Sequence, residues 1–151
     1  MPRTMRVRRL GPGTELEILR AGYLFEQDPE LSAARSYLAD SHNVFLMAYE
    51  GSEAVGMLRG TEVSQLYSKR KQMLVHEIAV DERLRRRGIG KGLITYLLRE
   101  CRELGFAEVL LYVDPTNAAT VRLCLTTGAL PESEANRLFV YRLHSDIEGP
   151  I

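Results

Sequence analysis

Two nearly continuous apolar runs constrain the fold of this chain more than any other feature. MLVHEIAV, residues 73–80, and FAEVLLYV, residues 106–113, are too apolar for strands with one face in water, so each predicts a strand near the middle of a sheet. The segment between them changes period. After an arginine-rich turn, apolar residues recur at helical spacing from about Ile89 to Leu104, and Gly105 supplies the stop.

The flanking segments extend this unit into an α/β fold built around one mixed, mostly antiparallel sheet flanked by helices. MRVRRL, residues 5–10, alternates polar and apolar and predicts a first strand, ended by Gly11-Pro12-Gly13. Thr14 with Glu17 three residues on predicts a capping box for a helix to about Gln27, with Leu16, Leu19, Leu24 and Phe25 inward. Asp28-Pro29 predicts the start of a second helix, through about Asp40. VFLMAYE and AVGMLRGTEV around Gly51-Ser52 predict a hairpin in which Gly56 and Gly60 mark close backbone approach. Residues 64–72 read as a polar, basic loop. Asn117 to Thr127 predicts another helix, closed by Gly128, and RLFVYRL, residues 137–143, a final strand. The order is strand, two helices, three strands, helix, strand, helix, strand, with no linker or repeat: a single domain over residues 1–151.

Composition narrows function by exclusion. Twenty basic residues balance twenty acidic ones, so no global field draws the chain to nucleic acid or a membrane. Local clusters remain, at Arg3, Arg6, Arg8 and Arg9 and at Arg83, Arg85, Arg86, Arg87 and Lys91. The latter sits with glycines at a helix start and has no interleaved aromatics, which argues against nucleic acid. No apolar stretch approaches the roughly 20 residues of a membrane span, and no secretion signal opens the chain. Cys101 and Cys124 lack metal-type spacing and predict buried thiols in a reducing, cytoplasmic setting, with no metal site.

The arginine turn is where function concentrates. Gly88-Ile89-Gly90-Lys91-Gly92 fails the G-x-G-x-x-G dinucleotide spacing, and it lacks both the upstream glycine and the following Ser or Thr of a P-loop. It does satisfy [QR]-x-x-G-x-[GA], through Arg85-Arg86-Arg87-Gly88-Ile89-Gly90, after a strand ending IAV and before a long helix. Backbone N–H groups and the positive end of that helix would converge on one anion, and glycine would let its oxygens approach.

This loop resembles the acetyl-CoA pyrophosphate loop of the GNAT N-acetyltransferases, and the element order matches that expected of the GNAT acyl-CoA N-acyltransferase fold. NAATVRLCLTTGA, residues 117–129, resembles the second signature of the family, with Asn117, Leu123 and Gly128 in place and Thr120, Cys124 and Ala129 departing from it. RRLGPG, ILRAGYLFEQ, the 76–94 segment and HSDIEGPI are similar to aminoglycoside 3-N-acetyltransferases of type I. The resemblance implies an acetyl-CoA cosubstrate contacted by Ile78, Ala79, Val80, Arg85, Arg86, Arg87, Gly88, Ile89, Gly90, Lys91, Asn117 and Cys124. It also implies a small primary amine as acceptor, an aminoglycoside first, and a homodimer. Another amine (a polyamine, an amino-acid derivative or a protein N-terminus) and a CoA-binding domain without turnover stay open, the last because Cys124 stands where many relatives carry a tyrosine that protonates the departing thiolate.

Acetyl transfer needs a proton acceptor for the amine and charge stabilisation at the thioester carbonyl. The resemblance places Glu77 as that base and as an amine-binding residue, with the N–H of Val80, or of Ala79 if the strand bulges there, at the oxyanion. Flanked by His76 and Ile78, Glu77 is expected to be partly desolvated, with a raised pKa, its alternative use being a structural ion pair with an arginine. His76 is the competing base, but strict strand alternation sends it to the opposite face. For the acid, Cys124, Tyr112 and Tyr141 stand open, each with packing as its commoner use. Glu26, Asp28, Glu30, Asp114, Asp146 and Glu148 are the carboxylates available to a polycationic acceptor, Asp146 foremost.

Overall fold

The computed structural model describes residues 4–85, 87–131, 139 and 141–143. One five-stranded sheet runs in the order β1-β2-β3-β4-β5: β1 Met5–Arg9, β2 Asn43–Glu50, β3 Glu53–Val63, β4 Gln72–Val80 and β5 Glu108–Leu111. The first four strands pair antiparallel, whereas β5 joins β4 parallel. A parallel neighbour needs a crossover, and α3, Ile89–Glu103, supplies it. The expected α/β class and mixed, mostly antiparallel sheet are therefore found.

Strand alternation divides the core into two layers. Phe45, Met47 and Tyr49 of β2 face α1 (Glu15–Arg20) and α2 (Leu31–Ala39) with Met57, Ile18, Leu24 and Leu38. Val44, Leu46 and Ala48 face the other way, with Val55, Leu58 and Val75, onto α3. Ile89, Leu93, Leu97 and Cys101 recur every fourth residue, so α3 buries one stripe of its surface. Gly56 lets that stripe seat: a Cβ there would lie 2.8 Å from Ile89 Cγ2 and 3.2 Å from Leu93 Cδ1. α4, Ala118–Thr126, leans on the start of α3, Leu123 Cδ2 lying 2.9 Å from where a Cβ of Gly90 would stand.

Several local expectations are corrected. The Thr14–Glu17 capping box does not form, because the Thr14 hydroxyl donates to the Gly11 carbonyl at 2.7 Å and Glu17 receives the Tyr49 hydroxyl at 3.0 Å. The first helix stops at Arg20 and continues only as a short 3-10 turn, Gly22–Leu24. Its inward residues are Ile18, Ala21 and Leu24, and Leu16 is exposed. α2 begins at Leu31 behind Glu30, beyond the Asp28-Pro29 start expected. β5 is shorter than the apolar run it comes from and is last in the order among the described residues. Of the expected final strand, 137–143, residues 137, 138 and 140 lie outside the described residues, and 139 and 141–143 are in no strand. Among the described residues no helix is long and apolar enough to cross a membrane.

Candidate functional site

Among the described residues the sheet opens between its last two strands. Pairing of β4 with β5 ends at Val75↔Leu111, while β4 continues to Val80 against β3 alone. Register fixes which backbone groups face the opening. Asp81 N–H donates to Val55 O at 2.9 Å, one step beyond the Gly56↔Val80 pair. In an antiparallel ladder the residues that bond to the partner alternate, so Asp81, Ala79 and Glu77 point their N–H groups at β3. Those of Ile78 and Val80 point away, into the opening. The side chains of Ile78 and Val80 pack on the α3 layer and that of Ala79 on the α1–α2 layer. Of the two oxyanion donors considered from sequence, Val80 has the suitable direction.

Beyond Val80 the chain turns through Glu82–Leu84 into α3. Asp81, buried, fixes this turn by accepting from Arg83 N–H at 3.1 Å and from its guanidinium at 2.7 Å. Arg83 also reaches Glu53 at 3.1 Å, so it is a structural clamp and not a free ligand for an anion. Arg85 lies 3.8 Å from Glu82 and Arg87 3.8 Å from Glu50, contacts too long to hold either guanidinium tightly. Lys91 has no ion-pair partner among the described residues. Arg86 lies outside the described residues.

Gly88 precedes α3 with φ 80°, a left-handed conformation that glycine adopts without penalty, and no atom lies within 4 Å of where its Cβ would stand. No side chain caps the helix, and its first internal bond is Gly92 N–H to Gly88 O at 2.9 Å. The N–H groups of Gly88, Ile89, Gly90 and Lys91 are therefore left for an outside acceptor. The Ile89 side chain is committed to the core, so only its backbone can serve a ligand. These residues fit a diphosphate: bare backbone, a helix start and cations with loose partners.

On the α1–α2 side of β4 stands a polar group that only the structure reveals. Arg59 pairs with Glu77 across the strands, Nε donating to Oε1 at 2.8 Å, with its guanidinium 5.6 Å from the Tyr37 ring centre. The register then shifts from Arg59↔Glu77 to Gly60↔Val75, so His76 is an inserted residue, a β-bulge. Val75 and Ile78 both pack on the α3 layer. His76 and Glu77, between them, both point to the opposite face, which corrects the expectation that they diverge. His76 Nε2 lies 2.8 Å from Thr61 Oγ1, and burial together with the Arg59 charge pushes the imidazole pKa down. Glu77 is half-buried, as expected, and its charge is matched by Arg59, the ion pair with an arginine that sequence leaves as its alternative use, though not the particular arginine. An arginine two places after Met57 in an apolar strand was the available signal.

Other candidates are placed less favourably. Asn117 Oδ1 caps α4 by accepting from Thr120 N–H at 3.2 Å, which leaves its amide N–H groups available. Cys124 is half-buried, and burial pushes its thiol pKa up, so it is a poor proton donor to a thiolate. Tyr112 and Tyr141 are exposed and not packed in the sheet as expected. Asp114 accepts from Thr116 N–H and hydroxyl, which lowers its pKa and makes it a turn-former. Glu30 receives Ser32 Oγ. Glu26 and Asp28 are exposed in the link before α2. Asp146 and Glu148 lie outside the described residues, and among the described residues no three His, Cys, Asp or Glu side chains gather as a metal site.

Comparison with known proteins bears on the family and the fold. Residues 14–128 match the model of the Acetyltransferase (GNAT) family. N-acetyltransferase 8B of Rattus norvegicus is 32% identical over 94 residues, 62% of this chain and 42% of the relative. The chain spans less than half the length of the curated relatives it matches. Among solved structures, an aminoglycoside acetyltransferase from an uncultured soil metagenomic sample, in complex with sisomicin, aligns with TM-score 0.77 at 23% identity, over 91% of this chain and 95% of that one. The aminoglycoside N-acetyltransferase AAC(6')-Iy in complex with CoA aligns with TM-score 0.76 at 21% identity, over 94% and 96%. At such identities the structural likeness establishes the fold.

Proposed function

The chain belongs to the Acetyltransferase (GNAT) family, and from that premise we propose that it transfers the acetyl group of acetyl-CoA to a primary amine of a small molecule, the 3-amine of an aminoglycoside being the first acceptor to test. The observation that carries the reading is the uncapped start of α3 next to the opening between β4 and β5. A diphosphate on the N–H groups of Gly88 to Lys91 would lay the rest of the cosubstrate along the opening, where the Val80 N–H meets the developing oxyanion. Arg85, Arg86, Arg87 and Lys91 add charge at the diphosphate, and the amide of Asn117 faces the same cosubstrate from α4. The amine approaches from the Glu77 side, where the carboxylate binds the ammonium and accepts the proton it sheds before attack. Asp146 is assigned to the wall of the same acceptor pocket. A cytoplasmic homodimer belongs to this reading, and two unpaired cysteines agree with a reducing setting.

A second reading, a CoA binder without turnover, draws on Cys124, whose raised pKa denies the leaving thiolate an internal acid. Thiol release from acetyl-CoA separates the two, measured over gentamicin-type and kanamycin-type aminoglycosides, polyamines and short peptides, with mass spectrometry of the products. Release that Glu77→Gln abolishes while CoA still binds supports the enzyme. Tight CoA binding with silence across the panel supports the second reading.

A further inference from the structure

The bulge in β4 brings a second proton acceptor to the face that carries Glu77, and hydrogen bonds fix which nitrogen of it is free. Asn43 Nδ2 donates to the Tyr37 carbonyl at 3.1 Å, which turns Asn43 Oδ1 toward Thr61. The Thr61 hydroxyl donates its only proton to that Oδ1 at 2.9 Å. Thr61 Oγ1 can then only accept from His76 Nε2, 2.8 Å away. His76 must carry its proton on Nε2, and the lone pair of the neutral ring lies on Nδ1. His76 is also the first β4 residue past the last β5 pair, Val75↔Leu111, so it stands at the rim of the opening. Its ring is exposed, and the charged and titratable groups that face it are Arg59 on β3, Glu77 beside it and Tyr37 on α2.

We propose that His76 Nδ1 takes the proton of the acceptor amine during acetyl transfer, while Glu77, tied through Oε1 to Arg59, holds the amine in place. The inference rests on the acetyltransferase reading above and deepens it. In the step, the amine nitrogen attacks the thioester carbonyl and forms the C–N bond, and its proton passes to Nδ1, giving an imidazolium. The C–S bond breaks with its electron pair on sulfur, the thiolate takes a proton from water, and the imidazolium returns its proton to water. Partial burial, and after it the Arg59 charge, favour the neutral ring before reaction, which is the state that can accept. Thr61 touches no reacting atom and is a positioning residue that selects the tautomer.

Two measurements test this. The first is the nitrogen-15 spectrum of histidine-labelled protein, with His76 assigned from the spectrum of His76→Gln. It is expected to show a neutral ring protonated at Nε2 at pH 7, with that preference lost in Thr61→Val. The second is turnover of the panel amine that releases thiol fastest. His76→Gln keeps a donor for Thr61 and lacks a basic nitrogen. It is expected to lower kcat about 100-fold or more with CoA affinity unchanged, and to remove the acid limb of the pH profile. A ring protonated at Nδ1, or His76→Gln turnover within twofold of the parent, overturns the proposal. Absence of transfer to every amine would sink the acetyltransferase reading instead, and the tautomer would still decide whether Nδ1 is free.

Discussion

Arg59 and Glu77 face each other as direct cross-strand partners, joined at 2.8 Å, at the last register position before the sheet slips by one residue. The pair is about one third exposed, 36% for Arg59 and 30% for Glu77, so its contribution to stability is modest, about 0.2–1 kcal/mol. Its larger effect is on charge at the opening. Arg59→Met removes a cation that depresses the His76 pKa, so that pKa should rise and the ring should protonate at higher pH. Because the neutral ring is the active form, the acid limb of kcat/KM should move to higher pH, toward the ordinary histidine value of about 6.5. A pH–rate profile of the variant checks this, and an unmoved limb would remove Arg59 from the mechanism.

Gly60 sits where the bulge forms. A Cβ there would lie 2.7 Å from the Leu74 carbonyl oxygen, a backbone atom that cannot swing aside, and the Gly60 carbonyl also receives the Tyr37 hydroxyl at 2.8 Å. Gly60→Ala should force β3 from β4 and cost about 1–3 kcal/mol. It should also lower turnover more than CoA affinity, because it disturbs His76 and Glu77 and leaves α3 alone. Urea unfolding and CoA titration of one preparation measure both.

Gly56 and Gly60 show what could be read from sequence. A glycine amid apolar strand residues signals close approach, and Gly56 and Gly60 both prove to be such points. The glycine-led start of α3 was legible because a left-handed glycine ahead of an apolar helical stripe has a sequence pattern. A bulge has none: it inserts one residue without altering the composition of the strand, and every residue beyond it changes face. That is why His76 was sent to the wrong side and why the network through Thr61 and Asn43 was invisible. At Thr14 the helix does start as expected, and only its capping box fails, for a related reason. Thr14 and Glu17 have the spacing of a capping box, but the Gly11 carbonyl three residues back takes the Thr14 hydroxyl and a tertiary partner, the Tyr49 hydroxyl, takes Glu17.

Gly88 and Gly105 bracket α3 with nearly the same backbone angle, φ 80° and 78°, in open space. Alanine at either should therefore cost a similar amount, about 1–2 kcal/mol. Only Gly88→Ala should weaken CoA binding, because only that residue stands where the free N–H groups converge. Calorimetric titration of CoA against both variants tests the loop with a matched control. Equal affinities would show that the diphosphate lies elsewhere.

Asp81 gives the turn before that loop a pH dependence. Hydrogen bonds from Arg83, its side chain first, hold the Asp81 carboxyl below its usual pKa. A carboxyl lowered by folding contributes stability above its unfolded value, about 3.9, and loses it as pH falls through the lower folded value. Asp81→Asn keeps the shape and removes the charge, so its deficit against the parent should be largest near neutrality and shrink away as pH falls through the lowered folded value. At pH 7 a fall in Tm of about 2–4 °C is expected. CoA affinity should fall with it, because the same turn aims Arg85, Arg87 and Gly88. Thermal melts from pH 2 to 8 give the first result, and a constant deficit across that range would show that Arg83 and Asp81 interact by shape and not by charge.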